Sequence, residues 1–198
     1  MFAVELPEEL KLFTGTPEIS YMNACVGING GYTSYGDYAE GFLHGAKVLG
    51  EESEKPGANI DLLVYPMAMC FRQAIELCLK QIIVSLNKIN GVDASFKMNH
   101  VLVDSWKHIL EVNKKYNVTD LDAEMVREVD EAIRELHEFD KVGMVFRYPV
   151  DRKENLSMGD TYLINLKVLS LRLSRVADQL IDWDNEFDEI RRHYNEEA

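Results

Sequence analysis

Three charged residues are spaced so that they share one face of a long and otherwise apolar predicted helix. Arg72, Glu76 and Lys80 follow one another at intervals of four within residues 62–87, and side chains four apart are neighbours on a helix. A buried charge without a partner is costly, so these side chains must either pair or line a polar pocket. Two interpretations follow: an ion-pair ladder centred on Glu76 at the bundle surface, or a site in which Arg72 binds a phosphate or carboxylate.

A second group of residues with binding chemistry lies in a long predicted connection. Arg147 stands between Phe146 and Tyr148, and Asp151 follows shortly after. An arginine between aromatic residues can stack on a nucleotide or bind an RNA phosphate through its forked N–H groups. The alternative is that the aromatic side chains anchor the loop while Arg147 pairs with Glu76 or another acid. The candidate ligand-binding cluster therefore consists of Arg72, Glu76, Lys80, His100, Arg147 and Asp151.

No catalytic or cofactor motif accompanies these residues. The sequence contains no glycine-rich phosphate loop, no nucleophile elbow and no His-Glu-x-x-His metal motif. Its five histidines are scattered, and none stands at metal-ligand spacing from another histidine or a cysteine. We therefore predict no metal site and no cofactor, and we assign no catalytic residue.

Composition narrows the class of protein. A chain of 198 residues with 46% hydrophobic residues suits one soluble domain, and its net charge of −13 argues against broad, non-specific DNA binding. Three cysteines without a paired spacing are typical of a reduced, intracellular protein. The N-terminus has no signal-peptide pattern, and the longest apolar run is about half the ~20 residues that a bilayer span needs. We predict a cytoplasmic protein without a membrane association.

The apolar periodicity predicts an all-α protein. We expect an up-and-down bundle of about five helices at residues 35–198, forming one domain. Residues 1–34 contain repeated glycines and prolines, which predict an irregular N-terminal arm. The centre of the bundle is assigned to residues 62–87, because a helix that is apolar on nearly all sides is a buried one.

Capping residues suggest where the helices begin. Asp37 and Asn99 are suited to cap the first and third helices. Pro66 fits the first turn of the second helix, where a missing N–H costs nothing. Thr119 and Asp122 together resemble a capping box for the fourth helix.

The last predicted helix, residues 160–194, has the most regular apolar pattern. Its seam alternates intervals of three and four, as in coiled coils, while Ile164, Val168 and Leu171 add a second apolar face that predicts burial on two sides. Such a helix would be roughly 50 Å long, so we expect it to overhang the bundle and to meet the N-terminal arm or a second subunit in a homodimer. The residues assigned to this dimer or packing seam are Leu173, Val176, Leu180, Trp183, Phe187 and Ile190.

Four segments in this order resemble HEPN-domain proteins, in particular a bacterial branch of that superfamily. They read YAEGFLHGAKVL at 38–49, YPMAMCFRQAIELCLKQII at 65–83, NHVLVDSW at 99–106 and FRYPVD at 146–151. The resemblance covers roughly residues 35–180. It implies an all-α bundle, usually dimeric, that serves in prokaryotic toxin–antitoxin, abortive-infection and other defence or stress systems.

The resemblance also implies two kinds of function. Many HEPN proteins are metal-independent endoribonucleases that use an arginine and a histidine a few residues apart, and others have lost that motif and bind nucleotides or partner proteins. This chain has no Arg with a His four to six residues after it, and Gln73 stands where related chains often carry His. We therefore expect binding of a nucleotide, RNA or a partner protein. The alternatives are a ribonuclease toxin with a non-standard site at Arg72, His100 and Arg147, and a purely structural or regulatory partner.

Overall fold

The computed structural model describes residues 12–27, 30, 33–160 and 163–196. The chain divides into two compact units, Met1–Ser34 and Tyr35–Ala198. In the first unit, the described residues include a short 3-10 helix at Pro17–Met22, in which Ile19 departs from helical geometry. The irregular N-terminal region expected from the glycines and prolines is confirmed.

The described residues of the second unit form five α-helices, and the prediction of an all-α helical bundle is confirmed. Among the described residues there is no β-strand, and the only β-type pairing is one isolated bridge between Val150 and Leu156. The helices are α1 (Tyr35–Ser53), α2 (Ile60–Asn87), α3 (Leu102–Tyr116), α4 (Ala123–Phe139) and α5 (Leu166–Glu196).

The apolar helix α2 is the centre of the bundle. It packs against α1, α3 and α5, while α4 contacts α3 and α5. Within the described ranges it is also the one helix long and apolar enough to cross a membrane, judged by length and composition alone, and 56% of its most apolar stretch is buried inside the bundle. Its largest fully buried side chains are Met67, Phe71, Ile75, Leu79, Ile82, Ile83 and Leu86.

Helix α2 begins earlier than the sequence suggests, so Pro66 lies in its interior and not in its first turn. Proline has no N–H to donate to the carbonyl of Leu62, one helical turn earlier. Leu62 is 64% exposed, so water is available as a substitute partner for that carbonyl. The helix therefore tolerates a proline that would be disruptive in its buried half.

Helices α1 and α3 also begin away from the predicted caps. Asp37 lies in the first turn of α1, where its charge suits the positive end of the helix dipole. Asn99 precedes α3, and its Oδ1 accepts the N–H of Val101 at 2.8 Å while its Nδ2 donates to Asp104 at 3.3 Å. Both residues therefore stabilise a helix start without occupying the cap position.

Helices α4 and α5 begin later than predicted because other side chains cap them. Asp122 Oδ1 accepts the N–H of Met125 at 2.8 Å, so Asp122, and not Thr119, is the cap of α4. Asn165 Oδ1 accepts the N–H of Val168 at 3.0 Å in the same way, and α5 begins one residue after it. Helix α5 has 31 residues, which makes it about 46 Å long at the usual helical rise.

The heptad-spaced residues of α5 are used inside the bundle. The ring of Trp183 stacks on that of Trp106 with their centroids 5.7 Å apart, and Ile190 packs against the same core. These residues are therefore a packing seam within one chain, and the predicted homodimer does not follow from them. The buried members of the seam are Leu173, Val176, Leu180, Trp183 and Phe187.

Candidate functional site

The charged residues Arg72, Glu76 and Lys80 on α2 pair with one another and are buried. Glu76 Oε2 accepts a hydrogen bond from Arg72 Nη1 at 2.8 Å, and Glu76 Oε1 accepts one from Lys80 Nζ at 2.8 Å. Arg72, Glu76 and Lys80 are 3%, 4% and 9% exposed. The ion-pair ladder is therefore formed, but in the interior of the bundle and not at its surface as the sequence suggested.

Two other segments complete this buried network. Arg72 Nη2 donates to the carbonyl of His100 at 2.8 Å, and Arg72 Nε donates to the carbonyl of Asp140 at 3.4 Å. His100 Nδ1 lies 2.8 Å from Glu76 Oε1. All three guanidinium nitrogens of Arg72 therefore have protein partners. The structure brings together four of the six predicted cluster residues: Arg72, Glu76, Lys80 and His100.

The network determines the ionisation of Glu76. Burial by itself works against the charged carboxylate, because a buried charge loses its hydration. Hydrogen bonds from Lys80, Arg72 and His100 outweigh that penalty, so the pKa of Glu76 lies below its usual value. Glu76 is therefore ionised at neutral pH and compensates two buried cations.

The connection after α4 lies directly on Arg72. Gly143 has a φ of +78°, and a Cβ added there would lie 2.9 Å from Arg72 Nη1. The turn is held by Asp140, which is 2% exposed and whose Oδ1 accepts the N–H of Met144 at 2.8 Å. Sequence reasoning missed Asp140 and Gly143, because the i, i+4 spacing reveals neighbours on one helix but not partners from a distant loop.

Arg147 lies apart from this network. Its guanidinium is 5.3 Å from the centroid of the Tyr148 ring, its Nη2 is 3.5 Å from the Tyr148 hydroxyl, and its Nη1 is 3.9 Å from Met144 Sδ. Within the described part of the chain Arg147 forms no ion pair, so the expected pairing with Glu76 or another acid is not formed. Only Phe146 anchors the loop as expected, since it is 8% exposed whereas Tyr148 is 47% exposed.

Asp151 organises its own loop and does not reach the buried network. Its Oδ1 accepts the N–H groups of Lys153 at 2.7 Å and Asn155 at 2.9 Å, and its Oδ2 accepts from the Asn155 side chain at 3.0 Å. These hydrogen bonds, those from Asn155 foremost, hold the pKa of Asp151 below its usual value. The bridge between Val150 and Leu156 closes the same loop. Asp151 therefore fixes the shape of the loop that carries Arg147.

A large open groove lies between α4 and the first half of α5. Its volume is about 610 Å³, which is within the range of ligand pockets. The rings of Phe139 and Phe146 stack at its end with their centroids 5.3 Å apart. The apolar residues that line it include Leu136, Phe139, Phe146, Ile164, Val168 and Leu169.

Charged residues stand at the rim of this groove. Arg172 on α5 forms a forked pair with Glu135 on α4, with distances of 2.7 and 2.9 Å. Glu138, which also lines the groove, forms no ion pair with the residues described. The groove is therefore apolar inside and acidic at its edge.

The sequence revealed the apolar face that α5 contributes to this groove, but it did not show that this face is exposed. Val168 and Leu171 formed part of a second apolar face that predicted burial on two sides of α5, and that prediction is wrong. Val168 is 53% exposed and Leu171 is 59% exposed. An apolar periodicity shows which side chains share a face, but it does not show whether another element of the chain covers that face.

The described residues hold no assembled metal site, and neither Cys70 nor Cys78 is an activated thiol. No three His, Cys, Asp or Glu side chains come together there as a metal ion would need. Burial raises the pKa of Cys70, and it raises the pKa of Cys78 to about 12. Both side chains are therefore neutral thiols at physiological pH, and all three cysteines are free.

Fold and site together define a helical-bundle protein with a buried ion network and an open apolar groove. No protein-family model, curated protein or solved structure matches the chain. The resemblance to HEPN proteins therefore depends on the four sequence segments alone, and the function has to be inferred from the chemistry of the site.

Proposed function

We propose that this chain is a non-catalytic binding protein that holds a basic amphipathic helix of a partner protein in the α4–α5 groove. The observation that carries this proposal is the exposed apolar surface between the two helices, including the 53% exposed Val168. Contiguous exposed apolar surface of this kind marks interaction sites in soluble proteins.

The shape of the groove favours a helix as the occupant. Two helices form its walls, and recognition of an amphipathic helix by an apolar groove is a recurrent mode of protein interaction. The stacked rings of Phe139 and Phe146 offer a rigid aromatic surface. Aromatic residues in such positions often contribute much of the binding energy of an interface.

The charge around the groove favours a basic partner. Helix α4 carries six acidic and two basic side chains, a net charge of −4 with His neutral, and residues 166–177 of α5 carry three basic ones, so the two walls together carry −1. Glu138 on α4 remains unpaired among the described residues. The whole chain carries −13. Complementary charge on the partner speeds association and disfavours wrong partners, whereas a second copy of this acidic chain would bring like charges together.

The buried network fixes the start of the loop that contributes Phe146 to the groove. Arg72 Nε donates a hydrogen bond to the carbonyl of Asp140, and Gly143 lies against the Arg72 guanidinium. This fixes the start of the connection that carries Phe146 into the groove. The ion network therefore has a structural role, while binding takes place at the apolar surface that it positions.

The ribonuclease alternative is disfavoured because the three residues predicted for its site do not come together. His100 lies at the exposed edge of the network with its Nδ1 on Glu76, and Arg147 lies apart from it. Arg72 is 3% exposed and each of its nitrogens already has a protein partner. On the HEPN resemblance, the binding protein proposed here would act in a prokaryotic defence, stress or toxin–antitoxin system, and the basic partner would be a second protein of that system.

Two synthetic helical peptides test the proposal. Each has about 18 residues, roughly five helical turns, with leucines along one face and either lysines or glutamates on the opposite face. Fluorescence anisotropy should show that the lysine peptide binds the wild-type protein at least ten-fold more tightly than the glutamate peptide, a difference of about 1.4 kcal/mol.

A matched pair of variants locates the binding surface. Val168→Asn removes an apolar group from the groove, whereas Leu171→Asn removes a similarly exposed one from the same helix outside the groove. We expect only Val168→Asn to weaken binding of the lysine peptide. Equal effects of the two variants, or no binding of the lysine peptide, would contradict the proposal. Sedimentation that shows a dimer dissolved by Val168→Asn would assign the groove to a second copy instead.

A further inference from the structure

A second cavity adjoins the groove at Phe146 and has a different chemistry. Its volume is about 430 Å³, which again suits a small ligand. Besides Phe146, its lining includes one cationic side chain among apolar and aromatic ones. These residues are Tyr65, Arg147, Tyr148, Pro149, Leu156 and Met158.

Among the residues that the structure describes, the guanidinium of Arg147 has no anionic partner, although the chain is rich in acids. The chain carries 34 acidic and 21 basic residues, and arginines such as Arg134, Arg172 and Arg175 lie within 4 Å of a carboxylate. Arg147 instead contacts a thioether and a phenol, both at long distances. Its N–H donors therefore remain available to an anion from solution.

The neighbouring ring holds the guanidinium in place. Tyr148 lies beneath Arg147 with 5.3 Å between the guanidinium carbon and the ring centroid. A cation over an aromatic face is attracted to it, so Arg147 is oriented before any ligand arrives. The hydrogen bonds of Asp151 to Lys153 and Asn155 fix the rest of the loop.

The connection also differs in charge from the rest of the chain. Residues 141–160 contain four basic and three acidic side chains, a net charge of +1, against −13 for the whole protein. An anion is therefore repelled less by this segment than by the remaining surface. The carboxylate of Asp151 is occupied by its own loop, so it does not neutralise Arg147.

We infer that this cavity binds a small organic phosphate that carries a planar ring, the class to which nucleoside monophosphates belong. Arg147 binds the phosphate oxygens through its forked N–H groups. Tyr65, which is 41% exposed at the cavity wall, stacks on the ring of the ligand. The inference does not depend on the function proposed for the groove, because neither Arg147 nor Tyr65 lines the groove.

Isothermal titration with AMP, adenosine and inorganic phosphate tests both halves of the site. We expect AMP to bind the full-length protein, and adenosine and inorganic phosphate each to bind at least about ten-fold more weakly, because each lacks one of the two contacts. Adenosine binding as tightly as AMP would overturn the phosphate contact, and inorganic phosphate binding as tightly would overturn the ring contact. Absence of AMP binding at millimolar concentration would overturn the site.

Variants of two exposed arginines in one loop provide the control. Arg147→Ala should weaken AMP binding by about ten-fold or more, since a charge-assisted hydrogen bond is lost. Arg152→Ala removes the same charge from the loop outside the cavity and should leave AMP binding unchanged. Equal losses in the two variants would mean that only the net charge matters and would overturn the assignment of Arg147. Binding of a short RNA by a protein that does not bind AMP would assign the surface to RNA instead.

Discussion

The interior of α2 and the surface between α4 and α5 reverse the usual distribution of side chains. In α2, Arg72, Glu76 and Lys80 are charged and buried, yet each has a charged partner. In the groove, Val168 is apolar and half exposed, with Phe139 and other apolar side chains around it. Charge lies inside this bundle where apolar residues are usual, and apolar surface lies outside where charge is usual.

The difference between the two regions shows how to assign their roles. A buried charged group that is fully hydrogen-bonded contributes to the fold, because releasing it for a ligand would leave its partner charge uncompensated. An exposed apolar surface lacks the partner that would remove it from water. We therefore infer that the conspicuous charged motif is structural, and we propose the less conspicuous apolar surface as the interaction site.

The largest expected effect follows from breaking the ion network. Glu76→Gln leaves the cations of Arg72 and Lys80 with reduced compensation in the interior, which typically costs about 3–5 kcal/mol of unfolding free energy. Urea denaturation at neutral pH measures the loss. Glu138→Gln, at the exposed rim of the groove, is the matched control and should change stability by about 0.5 kcal/mol or less. Equal small effects would mean that the network is not structural.

The same network predicts that the contribution of Glu76 to the stability of the folded protein is lost on acidification. The pKa of Glu76 is lower in the folded protein than its usual value, so its contribution to stability is complete above the unfolded pKa. That contribution is lost as the pH falls through the folded pKa. The stability difference between wild type and Glu76→Gln should therefore narrow on acidification below about pH 4.5, the ordinary glutamate pKa. A difference that widens on acidification would contradict this assignment.

A smaller loss of stability is expected from a substitution at Gly143, in the loop after α4 that contacts Arg72. Gly143→Ala places a Cβ 2.9 Å from Arg72 Nη1 at a residue with a φ of +78°, and strain of that kind costs about 1–3 kcal/mol. Gly91→Ala is the matched control, because its φ is +81° and nothing lies within 4 Å of the added Cβ. Thermal unfolding should show a greater loss for Gly143→Ala. Equal losses would mean that the contact with Arg72 adds nothing to the backbone strain.

The smallest effect on stability is expected in the groove itself. Val168→Asn replaces a half-exposed side chain, and the two residues have similar helix propensities. We expect a change in unfolding free energy of about 0.5 kcal/mol or less, measured by the same urea denaturation. A loss comparable to that of Glu76→Gln would show that the groove is part of the core and not an interaction surface.

The same contrast explains what the sequence could predict. The all-α fold, the central place of α2 and the pairing of Glu76 with Arg72 and Lys80 all follow from local spacing, which the sequence states directly. The partner of Arg72 at Asp140 is 68 residues away along the chain, and no local pattern encodes it.

Two other features were beyond the reach of periodicity. The seam of α5 is predicted from the sequence as a dimer or packing seam, and periodicity does not choose between the two, because the fit of the seam against Trp106 of α3 depends on how the helices pack. The exposure of Val168 depends equally on which helix covers that face of α5, and none does so fully. Local spacing identifies the apolar faces, whereas tertiary packing decides which of them become core and which remain available to a partner.

Amide hydrogen exchange of the full chain, with and without the lysine-faced peptide, tests the central claim most directly. The claim is that binding occurs at the apolar groove and not at the buried charged residues of α2. We predict that the peptide slows exchange in α4, in the first half of α5 and around Phe146, while the amides near Glu76 exchange as slowly without the peptide as with it. Protection confined to the segments around Arg72, Glu76 and His100, with the groove unchanged, would contradict the account.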